Sequence, residues 1–153
     1  MTPPGEAEFK RDASHWLKKF TPEEWIRAAM GELHRAEQAY SARDARAGLA
    51  GARRAAGMGL NAALVCAPSE AYGRSYIDHL RALARDTGVP EAVREQAVFL
   101  MQEPEPSKHV VVLLSKSHDK RVLDAARDVL AHAYAVCVRH NALTAPHGIG
   151  ETS

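Results

Sequence analysis

The segment RDVLAHAY, residues 127 to 134, sets an arginine, a histidine and a tyrosine within eight positions. These are side chains of proton-transfer and anion-holding chemistry: imidazole exchanges a proton near neutrality, and guanidinium offers a fork of donors to an oxyanion. The same residues also fit a plain amphipathic helix. On a wheel at about 100° per residue, Val122, Ala126, Val129, Ala133 and Val136 centre an apolar face. Leu123, Leu130, Tyr134 and Cys137 widen it on one side, and Arg127 lies beyond Tyr134 on that flank. His132 falls on the opposite flank, about 140° from Arg127, so the two do not meet on one straight helix. Either the helix breaks, or a second chain supplies the partner, or no shared site exists. In that last reading Arg127 is a solvated flank residue, His132 a boundary residue and Tyr134 a core residue with its hydroxyl at the rim.

The elements that must position this segment are legible from caps and periodicity. TPEEW, residues 21 to 25, offers Thr21 as a cap, Pro22 at the first helical position and Glu24 to complete a capping box. The helix that follows should bury Ile26, Ala29, Leu33, Ala36 and Tyr40. A shorter helix is expected before it, with Phe9, Trp16 and Phe20 over one end of the core. A second long helix, from about Asp44 to Val65, should bury Ala45, Leu49, Ala52, Ala56, Leu60 and Ala63. Its glycines, Gly48, Gly51, Gly57 and Gly59, follow no strand and precede no P-loop lysine, so close helix-on-helix approach accounts for them better than phosphate binding. A third helix is expected over Glu70 to Arg85, burying Tyr76, Leu80 and Leu83, and a fourth opens at Pro90. EPEPSK is a loop, because residues before proline avoid the helical region. HVVVLL reads as helix or extended loop in a chain with no other strand candidate. The last helix should run from about Asp119 to His140. The expected organisation is thus an N-terminal extension over 1–20, an all-α antiparallel bundle of four to five helices over 21–140, and a mobile tail over 141–153.

Composition narrows the classes. At 153 residues the chain suits one domain with a real core. A formal net charge of +1 is not the strongly basic balance of a general nucleic-acid binder, though a local basic groove stays open. Cys66 and Cys137 lie in apolar surroundings without CxxC or Cys/His spacing, so buried free thiols are expected. No HExxH, paired Glu-x-x-His or carboxylate cluster suggests a metal site, and no cofactor is expected. The start is polar and no run approaches 18 apolar residues, which points to a cytoplasmic protein that no membrane holds. Of the remaining histidines, His79 beside Asp78 reads as a helix-surface pair and His118 as part of the start of the last helix.

R-x4-H-x-Y resembles the motif of HEPN-domain ribonucleases, especially the toxins paired with minimal nucleotidyltransferases. In that family the residue after the arginine is typically Asn, Asp or His, and Asp128 fits. EWIRAAMGELHRAE looks like the family's first helix. RAAGMGLNAAL, Arg54 to Leu64, is similar to its second, QAAEKALKALL, at the Ala and Leu positions. It departs where the family's Gln, Glu and two Lys are replaced by Arg54, Gly57, Met58 and Asn61. The pattern spans roughly residues 23 to 140.

The resemblance implies metal-independent RNA cleavage. His132 would take the proton from a 2′-hydroxyl, Arg127 would hold the scissile phosphate, Tyr134 would orient it, and Asp128 completes the motif. It also implies a homodimer with the two motifs facing across the interface, which supplies the second chain that the wheel demands. In the toxin branch a nucleotidyltransferase-type antitoxin modifies the matching tyrosine. An RNA groove would draw on Arg43, Arg46, Arg53 and Arg54, which equally suit the solvated face of a helix. Three expectations stand: first a composite endoribonuclease, second a HEPN-like bundle that binds or scaffolds without catalysis, and third a helical-hairpin interaction protein unrelated to HEPN.

Overall fold

A computed structural model describes residues 9–106 and 116–143. The described residues are all-helical, with α1 Pro22–Ser41, α2 Ala45–Cys66, α3 Tyr76–Arg85, α4 Glu91–Gln102 and α5 Lys116–Arg139, and a 3₁₀ turn at Glu70–Tyr72. The HVVVLL segment and the tail from 144 onward lie outside the described residues.

The start of α1 follows from its sequence. The Thr21 hydroxyl accepts from the Glu24 amide, and the Glu24 carboxylate accepts from the Thr21 amide. All five apolar positions expected on α1 are buried, joined by Pro22 and Trp25. Asp44 caps α2 by accepting from the Ala47 amide. The two helices form an antiparallel hairpin in which Gly48 of α2 faces the Tyr40 ring of α1 and Gly51 faces Ala36. A Cβ on Gly48 would stand 2.6 Å from that ring, so the small residue is what admits the tyrosine.

α5 packs on both helices of the hairpin and on α4. Gly59 of α2 meets Leu130 and Ala133 of α5, and Cys66 meets Cys137. A step of seven residues on α2 therefore matches a step of seven on α5, and the two helices run in the same direction. Val122, Ala125, Ala126, Val129, Ala133 and Cys137 are all fully buried along this stripe. One hydrophobic core joins the five helices.

Two segments differ from expectation. Residues 9–20 form turns, where a short helix is expected. Asp12 accepts from the Ser14 amide and hydroxyl, and His15 Nδ1 accepts from the Leu17 and Lys18 amides. Those side chains take the amides that a helix would need. The segment is nonetheless tied down: Leu17 is buried and its carbonyl accepts from the Trp25 indole at 2.8 Å. Phe20 meets Trp25 edge-on, as an aromatic covering that end of the core. The expected helix over Glu70 to Arg85 is split, because Gly73 adopts φ 64°, which right-handed helix cannot contain. Ser75 and Asp78 then form a second capping box that restarts the chain as α3.

Candidate functional site

The buried stripe fixes the phase of α5, and with it the position of every motif residue. Arg127 points to α1. Its guanidinium donates to Glu37 at 2.6 Å and to Asp124 at 3.0 Å. Asp124 also accepts from Lys120 at 2.8 Å, and the hydrogen bond from Lys120, reinforced by Arg127, holds its carboxyl below the ordinary range. Asp128 is exposed on the next position. Arg127 is thus engaged by two carboxylates, one of which also holds Lys120.

Tyr134 lies on the same flank as Arg127, two turns further on. It is half-buried and lines an open cleft of about 590 Å³ with Glu23, Ile26 and Arg27 of α1 and residues 141–143. His132 lies on the other flank, half-buried, towards the turn between α3 and α4. Burial pushes its imidazole below the ordinary pKa, the charge of Arg139 pushes the same way, and Asp86 opposes them. Asp86 is itself engaged, accepting from the Tyr72 hydroxyl at 2.7 Å and the Gly88 amide at 2.9 Å. α5 is unbroken from Lys116 to Arg139, so Arg127 and His132 remain on opposite flanks of one helix.

The four arginines read as an RNA face separate into two kinds. Arg43 and Arg46 are exposed. Arg54 is paired with Glu32 at 2.9 Å, and Glu32 also holds Arg35. Arg53 is turned inward: its guanidinium donates to the carbonyls of Leu100 at 2.7 Å, Met101 at 3.3 Å and Glu103 at 2.7 Å. These are carbonyls that the end of α4 leaves without intrahelical partners. Arg53 thus caps α4 across 47 positions of sequence. Changing Arg53 to Met, which keeps the stem and removes the donors, should cost roughly 1–2 kcal/mol in chemical unfolding. Lys should restore little, because one ammonium cannot span three carbonyls.

No family model, no curated protein and no solved structure matches this chain. The site must therefore be read from its own geometry. Among the described residues, no three His, Cys, Asp or Glu side chains are grouped to hold a metal ion.

Two groupings were not singled out by residue type and spacing. His79 is not a surface partner of Asp78 but fully buried. Its Nδ1 lies 2.7 Å from the Tyr72 carbonyl and its Nε2 2.7 Å from Asn61 Oδ1. The Trp16 ring covers it at 5.9 Å. The signal was present in helix phase, since 76, 79, 80 and 83 share one face at three-and-four spacing. The second grouping is the pair Cys66 and Cys137, neighbours across the α2–α5 seam. Glu37, which holds Arg127, carries no sequence signal for that role, being 90 positions away.

Proposed function

We propose that this chain is a HEPN-like helical domain that acts as a binding or scaffold module, its RDVLAHAY segment serving the bundle and not RNA cleavage. One observation carries the reading: the Arg127 guanidinium is held between Glu37 and Asp124. A scissile phosphate at Arg127 would meet the two carboxylates that already hold it, Glu37 and Asp124, and like charge there opposes the binding that the chemistry requires. The inward-facing Arg53 and the paired Arg54 further reduce the cationic face that RNA would need.

The composite endoribonuclease is the second reading, and His132 is what favours it. Its imidazole is shifted towards the neutral form, the form a general base needs. The ion pairs of Arg127 are partly exposed, and such pairs are individually worth about 0–1 kcal/mol. A second copy could displace them and bring the two flanks together.

The test is incubation of RNA with the purified chain in chelator, beside Arg127→Ala and His132→Ala. The binding reading expects three identical traces with no cleavage above buffer. Metal-free cleavage by the unaltered chain, lost in both variants, overturns it in favour of the dimeric nuclease, with a homodimer in solution as the accompanying result.

A further inference from the structure

The α2–α5 seam carries a pair of thiols that the function proposed above does not use. Gly59 lets the two backbones approach so closely that a Cβ there would stand 3.5 Å from the Leu130 Cα. Seven residues on, along both helices, the same seam sets Cys66, the last residue of α2, beside Cys137. Cys66 is half-buried and Cys137 fully buried. One sulfur is therefore reachable from solvent, and its neighbour is placed to follow it.

We propose that Cys66 and Cys137 form a reversible dithiol–disulfide site, in which Cys66 is the thiol attacked from solution and Cys137 the resolving thiol. With a low-molecular-weight disulfide of glutathione type as oxidant, the Cys66 thiolate attacks one sulfur, and that S–S bond breaks to release one small thiolate. The Cys137 sulfur then attacks the Cys66 sulfur as its proton passes to the departing small thiolate. The Cys66–Cys137 bond forms, and the second small thiol leaves. Two electrons pass from the chain to the oxidant, which ends as two thiols. Exposure divides the roles, Cys66 being half-buried and Cys137 fully buried. The neighbouring Cys137 holds the Cys66 thiol below its ordinary range against the opposing effect of burial. The same proximity, with burial added, pushes Cys137 far up. Oxidation fastens α5, the helix that bears Arg127 and His132, to the end of α2.

The experiment treats the folded full chain with glutathione disulfide, then counts thiols and maps peptides without reduction. The unaltered chain should lose both thiols together, stay monomer-sized in crosslink terms, and yield a Cys66–Cys137 peptide that a reductant releases. Cys137→Ser should stop at the mixed disulfide on Cys66, and Cys66→Ser should leave Cys137 unreacted. A stable glutathione adduct on Cys66 of the unaltered chain, a Cys66–Cys66 crosslink between copies, or no reaction in the native state each overturns the proposal. These three outcomes are read on the unaltered chain, so poor folding of a variant does not blunt the test.

Discussion

Replacing Gly57 with alanine should destabilise the bundle by roughly 2–3 kcal/mol, the net of an overpacked contact and a gain in helix propensity. A Cβ at Gly57 would stand 2.3 Å from Tyr76 Cδ1, 2.4 Å from its Cβ and 2.5 Å from its Cγ. The Tyr76 Cβ is fixed by the backbone of α3, so no change of rotamer relieves the clash. α3 itself must move, and with it the neighbouring His79. The other glycines calibrate the effect. At Gly59 the contact under 3 Å is the Leu130 Cδ1 at 2.7 Å, the far end of a side chain that can rotate, so alanine there should cost less. At Gly31, in the interior of α1, the nearest atom is the Arg35 Nη1 at 3.7 Å, and alanine should stabilise by up to about 1 kcal/mol. Thermal unfolding of the three variants checks the order. Equal midpoints for Gly57→Ala and Gly31→Ala would show that the α2–α3 contact is not tight.

That order also shows what the sequence discloses and what it does not. The glycines of α2 announce close approach by their type, but which ring or backbone fills each gap is a tertiary fact. α1 declares its buried face because its apolar stripe keeps its phase over five turns, and α5 does so except at Val136, which is half-buried. α2 does so only in part: Leu49, Ala52, Ala56 and Leu60 are buried as expected, while Ala45 and Ala63 are half-buried. Ala55, Asn61, Ala62 and Leu64 are buried off that line because α2 is packed on several sides. Residues 9–20 misread as helix because propensity counts Ala and Lys as formers, while Asp12 and His15 compete for the amides. The motif shows the same division. Its opposite flanks follow from helix geometry alone, and α5 keeps them. Asp124, three residues before Arg127, was visible as a helical pair, whereas Glu37 was not. That second carboxylate is what tilts the reading of Arg127 from phosphate ligand to structural partner.

The buried pair His79 and Asn61 should show the largest effect of any polar substitution, about 3–5 kcal/mol for His79→Ala, because a cavity opens and the Asn61 amide loses its partner inside the core. The Tyr72 carbonyl can only accept, so Nδ1 of His79 carries a proton. A neutral ring then needs a donor at Nε2, which Asn61 supplies only when its amide is turned to present NH₂ in place of the Oδ1 that stands there at 2.7 Å, while a charged ring donates to that oxygen as it stands. Burial decides between them. It pushes the His79 pKa below the ordinary value, with the Tyr72 hydrogen bond and the Asp78 charge opposing. His132 is shifted the same way, also chiefly by burial. A depressed folded-state pKa means that the unfolded chain binds the proton more readily. The contribution of both histidines is therefore complete above the unfolded pKa near 6.5 and is lost as pH falls through the lower folded values. Carboxylates held low by hydrogen bonds, among them Asp78 and Asp124, respond only in a more acidic range. Urea unfolding of the native chain should thus weaken already between neutrality and the carboxylate range, and His79→Leu should remove much of that early loss while lowering stability at pH 7. In a cycle with Asn61→Leu, the double variant should be less destabilised than the two singles added, since neither orphaned partner remains in the core. A flat profile across that interval in the native chain, or strict additivity in the cycle, would show that the ring and the amide are not coupled as their 2.7 Å contact requires.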